Sequence, residues 1–213
     1  EYLCGEAMHG LGIPSTRSLC IIGNREIVWR ETAERRAMLV RLSPSHIRFG
    51  SFEVFYYRKQ LDHLQTLAEE VITRHYPAIA AGGASNGEKV AAFLEELVLR
   101  TARLMAQWQA VGFAHGVMNT DNMSVLGLTL DYGPFGFMER TDLSFICNHS
   151  DDSGRYAFNQ QPKIGLWNLH VLAQSLFPLI GEEARVMEIL GKYEPEFHRK
   201  FLELMRSKLG LRP

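Results

Sequence analysis

At 213 residues, with 46% hydrophobic and 22% charged side chains, the chain carries enough apolar surface for a substantial core and has an ordinary globular composition. Its 23 Lys and Arg against 24 Asp and Glu give a formal charge of -1, so no long-range field draws nucleic acid or an anionic membrane, and a bound anion must be held by a local cluster. No run approaches the roughly eighteen apolar residues of a membrane span, no signal peptide opens the chain, and Cys4, Cys20 and Cys147 form neither a metal spacing nor a disulfide framework; the expectation is an intracellular protein in a reducing compartment.

The chain opens on Glu1-Tyr2-Leu3 without a methionine and already in helical register, as expected of a piece of a longer protein. Residues 1–12 predict a short helix with Leu3, Ala7, Met8 and Leu11 on one side, stopped by Gly12 and Pro14. Runs of β type at 16–22, 26–30 and 37–42, the first two flanking the turn pair Gly23-Asn24, predict a small antiparallel sheet beside that helix. From Phe52 onward the period changes, and Leu61, Leu64, Leu67, Val71 and His75 fall on one helical stripe. Residues 81–87 have linker composition, with Ser85 or Asn86 able to cap the next helix.

Residues 88–111 then repeat Val90, Leu94, Leu97, Leu104, Trp108 and Val111 at helical spacing until Gly112. Residues 113–162 lose all helical period, although 125–130 retains β character enough for a short hairpin. An irregular stretch of that length is a functional candidate. Helices return at 164–177, 182–191 and 195–209, and Trp108, Trp167 and the stripe leucines are expected in the core.

The polar spacing within His115–Gly133 matches phosphoryl-transfer sites. In protein kinases a His-Arg-Asp triplet is followed five residues after the Asp by an Asn, and a later Asp-Phe-Gly supplies a second metal ligand. Here His115-Gly116 opens the loop, Asn122 stands five residues after Val117, and Asp131-Tyr132-Gly133 comes next on an expected short strand. Val117 occupies the place of the kinase base and cannot accept a proton. Asp121, beside Asn122, still provides a carboxylate, so Asp121, Asn122 and Asp131 are expected to share one locus. Such hard oxygen donors suit Mg²⁺ or Mn²⁺ that keeps nucleotide phosphates in its shell. Arg41 and Arg48, on either side of Pro44, are candidates for a phosphate clamp.

Each of these residues also has a plainer reading. Asp and Asn commonly cap turns, and arginines are ordinarily surface cations. His115 is expected to orient its loop, and His149 to be structural or substrate-facing, since one Cys and one His two apart build no zinc site. Gly133-Pro134-Phe135-Gly136 reads as a turn that directs the segment after it.

The blocks GEAMHGLGIPSTR, PSHIRFGSFE, HGVMNTDNMS, LDYGPFGFM, FICNHSD, GRYAFNQQP and IGLWNL strongly resemble the SelO family over essentially the whole chain. The resemblance implies an α+β, protein-kinase-like fold: residues 1–50 as part of the sheet-bearing N-lobe, and 51–213 as a mostly helical C-lobe with a catalytic loop at 113–133 and an activation-type segment at 134–162. It implies transfer of AMP from ATP, bound flipped relative to kinases, to Ser, Thr or Tyr hydroxyls of protein substrates. By that likeness Asp121 accepts the proton, Asn122 and Asp131 hold the metal, and Arg41 and Arg48 contact ATP, as Asp131 also does through the metal.

Complete members carry a glycine-rich loop and a phosphate-neutralising Lys outside the matched blocks, so these 213 residues alone are expected to bind nucleotide weakly. Glu1 and Glu6 are both candidates to pair with that Lys. Some members also end in a redox-active Cys or selenocysteine region, which would leave Cys147 without such a partner here. The implied location is cytoplasmic, or mitochondrial in a eukaryote. Two other functions fit the same residues: a non-catalytic pseudokinase scaffold, supported by Val117, and transfer of UMP from UTP with Mn²⁺.

Overall fold

The computed structural model describes residues 1–29 and 32–211. Helix α1, Tyr2–Gly10, buries Cys4, Gly5 and Met8. The expected face is corrected here, because Leu3 and Leu11 point to solvent. The reason is close approach: a Cβ on Gly5 would sit 3.3 Å from the Thr16 carbonyl oxygen, so the helix docks through its small residues and the leucines are turned outward.

Strands β1, Arg17–Trp29, and β2, Ala33–Leu42, form one antiparallel ribbon. Two long strands therefore replace the three short runs, and Gly23-Asn24 lies inside β1, where the register shifts between Gly23 and Ile27, as at a bulge. Arg30, the last residue of the expected 26–30 run, lies outside the described residues.

Helix α2, Phe49–Tyr57, starts before the expected change of period and ends where Lys59 adopts a φ of 58°. Helix α3, Leu61–His75, comes next and buries Leu64, Ala68, Val71 and Ile72. Leu61, assigned to the stripe, is exposed, because it stands in the first turn beyond the reach of the neighbouring helices. After the short α4, Pro77–Ala80, helix α5 runs Asn86–Val111. Ser85 caps it through a reciprocal pair with Glu88, and Gly112 ends it at φ 71°, the left-handed conformation that glycine adopts without steric cost.

Beyond α5 come β3, Phe113–Ala114, and β4, Gly136–Phe137, which pair antiparallel. Then α6, Gln161–Ile180, α7, Glu183–Leu190, and α8, Tyr193–Lys208, complete the helical part. Helices α3, α6, α7 and α8 all pack on α5 or α6. The crossing of α5 and α6 is tight: a Cβ on Gly165 would meet the Tyr193 hydroxyl at 2.9 Å and Met105 Cγ at 3.0 Å. Trp108 is buried as expected, whereas Trp167 is 47% exposed, on the α6 face turned away from α5, with the Arg155 guanidinium 4.8 Å from its ring. The expected hairpin at 125–130 is a single bridge, Met123 to Thr129, since the glycine-containing turn between them leaves too few residues to form a ladder.

Candidate active site

The loop between β3 and β4 is pinned at both ends. Gly116, at φ 80°, has room for no side chain, because a Cβ there would lie 2.7 Å from the Pro134 carbonyl oxygen and 2.8 Å from Cys147 Sγ. Two buried amides from α6 hold the loop's first half. Gln161 accepts from His115 N–H at 2.8 Å and donates to the Phe113 carbonyl at 2.9 Å; two turns on, Asn168 donates to the Met118 carbonyl at 2.8 Å. Sequence reasoning missed both, because α6 also carries Lys163, His170, Gln174 and Ser175, and spacing alone does not tell a buried amide from a surface one.

The second half is held by single bridges to the N-terminal segments. Thr129 N–H donates to the Pro14 carbonyl at 2.9 Å, and Thr16 N–H to the Thr129 carbonyl at 3.0 Å. On the other side Phe49 N–H donates to the Met123 carbonyl at 3.0 Å, and Arg48 faces Ser124 in an antiparallel bridge. Tyr132 hydrogen-bonds Ser15 through their hydroxyls, and burial pushes its phenol up to about 12. The expected strand through Asp131 is absent from the described residues; β3 pairs instead with β4, and Asp131 is placed by these cross-links.

Asp131 is the node of the site. Its Oδ1 accepts from Arg41 Nη2 at 3.1 Å and from Tyr132 N–H at 2.7 Å, and its Oδ2 accepts from Asn122 Nδ2 at 2.9 Å. Arg41 also donates through Nε to Glu1 Oε1 at 2.7 Å, so one guanidinium spans two carboxylates. Glu6 is engaged elsewhere, by Arg17 through two bonds of 2.7 Å. Of the two candidate glutamates, Glu1 is therefore the one joined to Asp131.

His115 lies behind this node, fully buried, with Nδ1 accepting from Val117 N–H at 3.4 Å and its ring 5.2 Å from that of Trp108. Burial lowers its pKa to about 4, against the opposing pull of the Asp131 charge and carbonyl. It is neutral near pH 7 and acts as a packed, loop-orienting group.

The structure thus joins Arg41, Asn122 and Asp131 by direct hydrogen bonds. Asp121 stands beside Asn122 in the 3₁₀ turn Thr120–Asn122, where the Asn119 side chain accepts from Asp121 N–H at 3.1 Å. Its carboxylate rests on α2: a Cβ built on Gly50 would be 2.2 Å from Asp121 Oδ1. Arg48 has its backbone bridged to Ser124 at the start of α2 and makes no ion pair among the described residues. Asn122 and Asp131, which both carry hard oxygen atoms, are joined through the amide nitrogen of the one and Oδ2 of the other. No cluster of three or more His, Cys, Asp or Glu side chains suited to a metal occurs among those residues. No helix in them is long and apolar enough to cross a membrane.

An α+β chain with this loop between its sheet-bearing and helical parts belongs to the SelO family, whose model, described as protein adenylyltransferase SelO, matches residues 1–213. Among its relatives, a protein nucleotidyltransferase YdiU of Myxococcus xanthus (strain DK1622) is 61% identical over 213 residues, which is 100% of this chain and 42% of that protein. Proteins of the same name from Variovorax paradoxus (strain S110) and Thiobacillus denitrificans (strain ATCC 25259 / T1) are 56% and 54% identical, over 99% and 100% of this chain and 43% of each relative. The chain spans about two fifths of the length of these curated relatives.

Proposed function

We propose that the complete protein is a kinase-like adenylyltransferase that moves AMP from ATP to Ser, Thr or Tyr hydroxyls of other proteins, with residues 1–50 in its smaller lobe and 51–213 in its helical lobe. The observation that carries this reading is the hydrogen-bonded series Arg41–Asp131–Asn122 next to Asp121, in a loop where Val117 fills the position of the phosphokinase base. The names of the family and of its relatives, adenylyltransferase and nucleotidyltransferase, agree with it.

Asn122 and Asp131 would hold the cation. One carboxylate and one carboxamide, without a cluster of further acids, suit Mg²⁺ or Mn²⁺ that completes its shell with phosphate oxygens and water, and do not suit a closed cage. Such an ion supplies neutralisation of phosphate charge when bound. Arg41, already between two carboxylates, is positioned to exchange one of them for phosphate, and Arg48 is available as a second cation. Asp121 takes the proton of the acceptor hydroxyl as its oxygen bonds to the α-phosphorus. The bond from that phosphorus to the bridging oxygen breaks, and pyrophosphate leaves with the electron pair.

The test uses the complete protein with Mg²⁺ or Mn²⁺ and ATP labelled separately at the α and γ positions. Label on protein from the α position alone is expected; label only from γ removes the AMP-transfer reading. UTP labelled at the α position, with Mn²⁺, measures UMP transfer through the same residues. Val117 also favours a second reading, a nucleotide-binding scaffold without turnover, whose outcome is metal-dependent ATP binding with no label transferred from any position.

A further inference from the structure

The contact between Gly50 and Asp121 opens onto a cleft that the residues joined to Asp131 do not account for. Its volume is about 320 Å³, and it is lined by Gly50, Glu53, Val54, Tyr57 and Arg58 on one side and by Thr120 and Asp121 on the other. Glycine at 50 is what lets the loop carboxylate lie on the helix backbone at one end of the cleft. From there, the lining of α2 changes character along its length.

Val54 and Tyr57, three residues apart on one helical face, are 45% and 64% exposed. Apolar side chains lining a cleft in this way form a small contact surface beside a reactive carboxylate. Arg58, the C-cap of α2, is exposed and brings a cation to the far end of the cleft. Glu53, one turn before Tyr57, also lines the cleft, with its Oε1 out of solvent.

We propose that this cleft docks the acceptor segment of the protein substrate, an extended stretch in which a Ser, Thr or Tyr is flanked by an apolar residue and, further along, by an acidic one. The hydroxyl lies against Asp121, the apolar neighbour packs on Val54 and Tyr57, and the acidic side chain pairs with Arg58. The role given to Asp121 rests on the adenylyltransferase reading. The segment's apolar and acidic preferences, however, come from the lining alone.

The experiment is affinity selection of a positional-scanning library of Ser-, Thr- and Tyr-centred peptides by the complete protein, followed by titration of the selected peptides. Wild-type protein is expected to enrich an apolar and an acidic flank. Val54→Ser combined with Tyr57→Ser, both at exposed positions, should weaken the selected peptides about tenfold or more, and Arg58→Glu should invert the charge preference to basic. Unchanged ATP affinity in each variant shows that the nucleotide site is intact. If the wild-type protein selects no sequence, or if the variants retain its affinity and charge preference, the cleft is not the docking site. The labelled-ATP experiment judges the AMP-transfer reading separately, so α-label transfer with an indifferent cleft, and selective binding without α-label transfer, are distinct results.

Discussion

Asn122 and Asp131 face each other with the carboxamide nitrogen of one donating to the carboxylate of the other at 2.9 Å. That bond fixes the amide's orientation relative to the carboxylate. Arg41, from the end of β2, closes the other side of Asp131 at 3.1 Å, so residues from three separate stretches of chain are committed to one carboxyl group.

Replacing Asp131 removes the common partner of Arg41, Asn122 and Tyr132 N–H at once. Asp131→Ala in the complete protein should reduce label transfer from α-labelled ATP below detection, and addition of a chelator to wild-type protein should do the same. Transfer by the variant at a tenth of the wild-type rate or more would remove Asp131 from the metal role.

Gly50→Ala separates positioning from folding. The added methyl displaces the Asp121 carboxylate, the free end of a short side chain, while alanine in the first turn of α2 loses less backbone entropy on folding than glycine. The expected outcome is an unchanged or slightly raised Tm with kcat lower by roughly a hundredfold, the scale of a 1 Å misplacement. Wild-type kcat in this variant would show that the Asp121 position does not matter to the reaction.

The Gln161 amide serves two backbone groups in a fully buried position. Gln161→Leu keeps the volume and leaves the His115 N–H and the Phe113 carbonyl without this partner, at a cost of about 2–4 kcal/mol. Urea unfolding at pH 7 measures it. Loss of less than about 0.5 kcal/mol would mean that the loop re-pairs these groups at little cost.

Acid stability should depend on Glu196. Hydrogen bonds from Arg199 and Arg103 hold its carboxyl down to about 2, from an ordinary value of 4.5. The unfolded chain therefore binds the proton first as pH falls. The stabilisation is fully present above pH 4.5 and is lost between there and pH 2, amounting to about 2–3 kcal/mol. Glu196→Gln should be less stable than wild type at neutral pH, with the difference shrinking toward pH 2.5; a constant difference would show that the ion pairs contribute nothing through titration.

Much of the scaffold was legible because it is written locally. Helix α5 has its cap residues, Ser85 and Glu88, three positions apart, its stop at Gly112, and its apolar residues at 3.6-residue spacing, all within hydrogen-bonding reach along the chain. The spacing of Asn122 and Asp131 was equally readable, since a short loop between fixed ends confines them to neighbouring positions. The outward turn of Leu3 and the exposure of Trp167 were not, because which face is buried depends on the partner that packs there and on where a glycine permits close approach.

The sequence by itself determined an α+β chain, the long helix and which polar side chains the loop carries, since periodicity, caps and spacing are properties of neighbours. Only the tertiary structure decided that Glu1, and not Glu6, shares Arg41 with Asp131, and that the Asp121 carboxylate lies on Gly50. Those relationships join residues 40 to 90 positions apart, or depend on two backbones meeting at a position without a side chain, and no local pattern encodes such a distance.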